Sequence, residues 1–184
     1  MMKIPKPRLY IVFSVISILI VFTWMNLSDS SERAQYFDIA DKKIDQYNVK
    51  KKDYVVVIDY RKNIFSNRLY LLDMINRKVI LHCMVTHAYN SGFFYATDFS
   101  NRPNSEKSST GAFLSKHSRP GKYGYSMVIS GLDKGKNDNA ENRAIIFHAT
   151  PAFPWSLGCF ATLKSNNKTI IDFMKNGRLI YVIE

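Results

Sequence analysis

Cysteine is scarce in this chain. Only Cys83 and Cys159 stand among 184 residues. Two thiols cannot build a disulfide framework, and no set of Cys and His has the spacing of a zinc site. His82 and His87 fall into no metal-binding pattern with them, so neither a metal nor another cofactor is expected. Cys83 lies inside an apolar run and reads as a buried free thiol, and His117, between basic neighbours, reads as a surface residue. Internal repeats and low-complexity stretches are also missing, which excludes solenoid and linker-like architectures. Acids are few, 15 against 26 Lys and Arg, for a formal charge of +11. No basic stripe alternates with aromatics as a nucleic-acid face requires, so nucleic acid is not an expected partner. The excess charge suits anionic envelope polymers or lipid head groups.

What is present begins with a basic flank, Lys3, Lys6 and Arg8, ahead of the uncharged run Leu9–Met25. Seventeen residues is near the lower limit for a membrane span and long for the apolar part of a cleaved signal. Residues 1–27 are therefore expected to form a basic cytoplasmic flank and an uncleaved signal anchor, a transmembrane helix in the inner membrane. The positive flank stays in the cytoplasm, which places the remainder in the periplasm. Residues 28–52 read as a polar linker in which Phe37, Ala40, Ile44 and Tyr47 recur at helical spacing, so one short helix is expected there.

A compact domain is expected over 53–184. Tyr54–Asp59, Arg68–Met74, Lys78–Thr86, Thr110–Leu114, Tyr125–Ser130, Arg143–His148 and Arg178–Ile183 are short β-branched or apolar runs, hence strands. Ile75-Asn76-Arg77 joins the second and third as a hairpin. Ser165–Lys175 reads as a capped helix ended by Asn176-Gly177. Many strands with few helices predict a mainly β fold, a sandwich or a partly closed barrel with short flanking helices.

The chemistry gathers in His148-Ala-Thr-Pro-Ala-Phe-Pro-Trp-Ser-Leu-Gly-Cys159. A strand ends in an imidazole, and a Ser-x-Gly-Cys segment follows. A nearby imidazole can take the proton from a thiol, and a glycine turn can aim backbone N–H groups at a developing oxyanion. A lone Cys–His pair is otherwise compatible with a buried apolar thiol.

Several separated segments, in order, resemble the catalytic domain of bacterial L,D-transpeptidases, the YkuD-like cysteine enzymes, closest to the murein L,D-transpeptidase catalytic domain branch. They are Ile58-Asp59 with Arg68–Asp73, Val85–Gly92, Phe99–Asn101, Ser108–Phe113, Tyr123–Ser126, Gly131-Leu132, Asn137–Ala140, Arg143–His148 and Ser156–Cys159. The resemblance implies an L,D-transpeptidase-like β-sandwich that acts on peptidoglycan stem peptides. It makes Cys159 the nucleophile and His148 the base. The carbonyl of Ala149 would orient the imidazole, Ser156 would shape the turn, and the N–H groups of Leu157, Gly158 and Cys159 would form the oxyanion hole. His87, Ser109, Gly111 and Tyr123 are candidates for the substrate groove. Arg143 is expected to hold a nearby acid. Cross-linking, exchange and trimming of the terminal D-amino acid all remain open. Ala149 stands where the family usually has Gly, Leu157 where His or Trp is common, and Phe160 where Pro is common, and the His148–Cys159 loop is short. Those departures keep one alternative: a membrane-tethered wall-binding protein with the same fold and no turnover.

Overall fold

The computed structural model describes residues 7–151 and 155–184; the side chains of 7–12 and 24–28 lie outside the description. The chain divides into two compact units, residues 1–38 and 39–184.

The first unit is helical. Helix α1 is Pro7–Gln46, with proline at its first position, where the missing N–H costs nothing. Neither Gly nor Pro follows between Arg8 and Gln46, so nothing breaks the helix across Ser28–Ser31, and Arg33 pairs with Asp29 one turn earlier at 2.6 Å. The linker expected over 28–52 is thus helix for most of its length. The Ser17 and Thr23 hydroxyls donate to the carbonyls of Phe13 (2.8 Å) and Leu19 (2.7 Å), the usual way such groups are satisfied inside a helix. The expected transmembrane helix is not met: among the described residues no helix is long and apolar enough to cross a membrane. Of the uncharged run Leu9–Met25, the side chains of 9–12, 24 and 25 lie outside the described residues. Lys3 and Lys6 lie outside the described residues.

The second unit takes in the last turns of α1, ahead of the boundary read at residue 53. Ala40 and Ile44 are buried, Asp41 pairs with Arg77 at 2.7 Å, and the Tyr47 hydroxyl donates to Asp133. The strands are β1 (Tyr54–Asp59), β2 (Leu69–Asp73), β3 (Lys78–Cys83), β4 (His87–Ala88), β5 (Gly111–Gly121), β6 (Gly124–Gly131), β7 (Ile146–Thr150), β8 (Trp155–Ser156), β9 (Phe160–Leu163) and β10 (Leu179–Ile183), with helix α2 (Lys164–Met174) between the last two. Eight of them form one sheet in the order β3-β2-β1-β10-β5-β6-β7-β9, and β4 pairs with β8. The central β1, parallel to β10 and antiparallel to β2, is buried at Val55–Asp59. That burial on both faces explains why its sequence is a continuous apolar run and does not alternate.

The sandwich of two sheets is replaced by one sheet that curls. Three strand spacings separate β5 from β9, about 14 Å in a flat sheet, yet the rings of Phe113 and Phe160 lie 5.4 Å apart. A register shift between Ser115 and Ser118 of β5 supplies a bulge where the sheet can bend. The two outer strands then meet through Thr86, just past β3. Its N–H donates to the Ala161 carbonyl of β9 (3.0 Å), its hydroxyl accepts from the Ala161 N–H (3.1 Å), and the same hydroxyl donates to the Cys159 carbonyl (3.3 Å). This is the partly closed barrel. Helix α2 buries Ile170, Ile171 and Met174 in the one apolar cluster that includes Val56, Leu71, Phe113, Phe147 and Phe160. The helix has no side-chain N-cap, and its end is turned by Asn176 and Gly177 at φ 70° and 99°.

Thr86→Val keeps the side-chain volume and deletes both hydroxyl bonds. We expect it to lower stability by about 1–2 kcal/mol, because the buried Ala161 N–H loses its acceptor. A urea titration should show a lower midpoint at unchanged slope; an unchanged midpoint would mean the edge closure does not depend on this hydroxyl.

Candidate active site

Strands β7 and β9 run parallel, pairing Phe147 with Phe160 and His148 with Ala161. Phe147 and Phe160 belong to the core. Alternation along a strand therefore turns Ile146, His148 and Cys159 to the opposite face. The register extends by one residue to set Cys159 beside Ile146, and His148 is the next residue of β7 on that face. Cys159 and His148 are thus brought to one face by a ladder, across a loop whose residues 152–154 lie outside the described set.

Each partner is held by its neighbours. His148 Nδ1 lies 2.8 Å from the Ala149 carbonyl. A carbonyl only accepts, so Nδ1 carries the proton and Nε2 keeps its lone pair for a base. Tyr123 stacks on the ring, with centroids 4.5 Å apart and planes at 24°. The Cys159 thiol donates to the Ala144 carbonyl at 3.7 Å. Ala144 sits at φ 53°, a left-handed conformation that a non-glycine residue adopts at a cost. The turn leading to Cys159 is fastened by Ser156, whose Oγ accepts from the Gly158 N–H (3.1 Å) and donates to the Cys159 carbonyl (2.8 Å). Gly158 is at φ 124°, and a Cβ there would stand 3.2 Å from the Lys107 carbonyl, so the turn requires glycine.

Burial sets the protonation states. It pushes the Cys159 thiol up, against the Ile146 N–H and the Arg143 guanidinium, which favour the thiolate. It pushes His148 down, against its bond to Ala149. At neutral pH the resting pair is therefore thiol and neutral imidazole. A cavity of about 400 Å³ opens on the thiol, walled by Ala144 and Ile146 on one side and by Arg119–Tyr123 at the β5–β6 tip on the other. A larger groove of about 1190 Å³ shares Lys122 and Tyr123 and continues past Ala149 to Lys164 and Lys168.

Several expectations change. Gly158 spends its N–H on Ser156 and is not an oxyanion donor, which leaves those of Leu157 and Cys159. His87, Ser109 and Gly111 are buried and line no groove. His87 accepts from Arg68 Nη2 at Nδ1 (3.0 Å) and donates from Nε2 to the Gly92 carbonyl (2.8 Å). Ser109 donates to the Ser100 carbonyl (3.0 Å) and accepts from Arg143 (2.6 Å). Gly111 is at φ 92°, where the Asp133 carboxylate fills the place of a Cβ. Of the four groove candidates only Tyr123 faces the cavity. Arg143 holds no acid. Its guanidinium binds the carbonyls of Ser100 and Lys107 and the hydroxyls of Ser105 and Ser109, clamping loop 100–109 behind the Gly158 turn. Ala144 and Ile146 were missed, because an alanine and an isoleucine carry no chemical signal in a sequence. Both cysteines are free, as expected.

A family model described as the L,D-transpeptidase catalytic domain matches residues 28–183. The chain belongs to this family. Among solved structures it is similar to an L,D-transpeptidase from Stackebrandtia nassauensis, at 17% identity over 73% of this chain and 57% of that one, TM-score 0.44. One from Mycobacterium smegmatis matches at 12% identity over 72% and 59%, TM-score 0.45. L,D-transpeptidase 1 of Mycobacterium tuberculosis matches at 11% identity over 71% and 62%, TM-score 0.44. The chain spans 57% to 62% of the length of these three structures. No curated protein matches it.

Removal of the Arg143 charge tests the electrostatics of this family member directly. Alkylation of Cys159 by iodoacetamide, followed by peptide mapping against pH, should inflect above the ordinary thiol value. In Arg143→Met the inflection should move higher still, because a cation that favoured the thiolate is gone. An inflection that stays in place or falls rejects that role.

Proposed function

We propose that this chain is a peptidoglycan-modifying cysteine acyltransferase, an L,D-transpeptidase that works on stem peptides through a thioester on Cys159. The observation that carries the reading is the pair itself: a thiol that opens on a cavity and, on the same face of the adjoining parallel strand, an imidazole with its proton on Nδ1, stacked on the Tyr123 that lines that cavity. His148 Nε2 takes the Sγ proton as sulfur attacks the carbonyl that precedes the donor's terminal D-amino acid. The tetrahedral oxyanion accepts from the N–H groups of Leu157 and Cys159. The C–N bond breaks, the leaving amine takes the proton from His148, and the acyl group stays on sulfur. An acceptor amine then attacks the thioester, passes its proton to His148, and expels the thiolate, which is reprotonated. The product is a cross-link or an exchanged residue; water in place of the amine trims the stem. Commitment of the Gly158 N–H to Ser156 leaves a two-donor hole, and this favours the second reading, a wall-binding protein without turnover.

A carbapenem supplies a strained carbonyl that reports on thiol attack without a natural substrate. Intact-mass spectrometry should show one adduct in wild type, none in Cys159→Ala, and slowed formation in His148→Ala. Cys83 should stay unmodified, since it is buried and its thiol is pushed up to about 12. An adduct that persists in Cys159→Ala, or a folded wild type that never acylates, selects the wall-binding reading.

The same proposal places the catalytic unit on the wall side of the inner membrane, where its polymer lies. A reporter that is active only outside the cytoplasm, fused after Glu184, should be active; activity confined to a cytoplasmic reporter rejects the placement.

A further inference from the structure

Beside the Cys159 turn lies an aromatic surface that the acyl-transfer chemistry does not use. Tyr89, Phe93, Phe94, Tyr95 and Phe65 are each between 51% and 61% exposed. Four of these rings adjoin one another around Trp155: Phe93 lies 4.8 Å and Tyr89 5.7 Å from Trp155, Phe94 lies 4.7 Å from Phe93, and Phe65 lies 6.1 Å from Phe94. A contiguous exposed patch of this kind on a soluble unit marks an interaction site.

The backbone that displays these rings is fixed. Three successive carbonyls are tied down: Gly92 by His87 Nε2 (2.8 Å), Phe93 by Trp155 Nε1 (3.0 Å) and Phe94 by the Ile64 N–H (2.8 Å). Gly92 is at φ 134°, where a Cβ would meet the Tyr95 carbonyl at 2.1 Å, so the loop is built for this one shape. His87 is held in turn by the buried Arg68. A loop with its backbone fastened and its apolar side chains outward is a preorganised platform, which loses little freedom when something binds.

We propose that this platform binds the glycan strand of peptidoglycan and thereby seats the polymer beside the catalytic thiol; the proposal rests on the acyl-transfer reading above. Two observations favour sugar as the occupant. The first is reach. Trp155 and Ser156 form β8, and Ser156 bonds the Cys159 carbonyl, so the platform begins four residues from the nucleophile. A stem peptide is joined to its sugar at one end and presents its scissile bond about three residues away, a span of about 10 Å. The second is charge. Arg61, four residues before Phe65, and Lys107, next to the Ser108 whose N–H bonds the Ser91 hydroxyl, are paired with Asp59 and Asp98. A surface with paired charges and amphipathic rings matches the neutral C–H faces of pyranose rings better than anionic lipid head groups.

The test is co-sedimentation of the full chain with three separate probes: glycan strands stripped of their stems, free stem tetrapeptide, and vesicles of phosphatidylglycerol and phosphatidylcholine. Stripped strands should bind wild type and Cys159→Ala alike. The double variant Phe93→Ser/Phe94→Ser should bind them at least tenfold more weakly, and Ile75→Ser, an exposed change in the β2–β3 turn, should not differ from wild type. Tyr89→Ser provides a second reading should the double variant unfold by circular dichroism. Failure of stripped strands to bind, or equal binding by both platform variants, overturns the proposal; binding to vesicles alone replaces sugar with a membrane surface. Thioester formation with free tetrapeptide is scored separately by mass spectrometry, so loss of the glycan result leaves the acyl-transfer reading standing and loss of the thioester does not.

Discussion

The Thr86 clasp is the constraint on which the site depends. A curled sheet has two open edges, and an edge with unpaired N–H and C=O groups is free to drift or to pair elsewhere. Here the last residue before β4 joins the two edges with one backbone bond and two hydroxyl bonds, and one of these fastens the carbonyl of the nucleophile itself. Ser156 holds the same carbonyl from the other side at 2.8 Å. With its carbonyl fixed twice, the peptide that follows Cys159 cannot rotate freely, and the backbone that carries the thiol is held on its C-terminal side.

The electrostatics follow from burial more than from any ion pair. In the sequence Cys159 and His148 stand close enough for an imidazole to take a proton from a thiol, and little else bears on their charge. In the fold both groups leave water, which disfavours the charged form of each. Among the described residues the cation that acts on the thiol is Arg143, and it is occupied by carbonyls and hydroxyls of loop 100–109. A neutral pair keeps the sulfur of Cys159 a thiol at rest, although it opens on a cavity.

Much of the fold was legible because local and global demands agreed. Tyr54–Asp59 is apolar throughout because it is central, and β1 has those bounds. The spacing of Ile170, Ile171 and Met174 announces α2. Legibility failed where geometry comes from distant pairing. β4 and β8 are two-residue strands that exist only because they meet each other. The sandwich expectation failed because strand count is visible in a sequence but the curl of a sheet is not. In the site, Cys159 and His148 carry chemistry that spacing can reveal, while Ala149 and Ser156 entered only through the family resemblance. His87 and Ser109 looked like groove residues because they are polar and stand in recurring motifs, yet their polar atoms are consumed in holding loops. Ala144 was invisible, since its part is played by a carbonyl and a strained φ.

Those buried polar residues explain one another when the loops are considered together. Arg68 is fully buried, and burial brings it down to about 10. It donates to the carbonyls of Val85 and Lys62 and to His87. His87 is brought down to about 4 by burial and so stays a neutral relay at any working pH. A buried guanidinium is costly unless its donors are satisfied, and here they are satisfied by backbone that would otherwise be irregular and orphaned. The cost is recovered as definition. Arg68 fixes Val85 one residue before the Thr86 clasp, and through His87 it fixes Gly92 at the root of the aromatic loop. One buried cation therefore sets both walls that a polymer would meet, the turn that carries the thiol and the surface beside it. Replacement by an apolar residue would leave two carbonyls and an imidazole without donors, which is why the sequence keeps a charge in a place where composition alone would call for leucine.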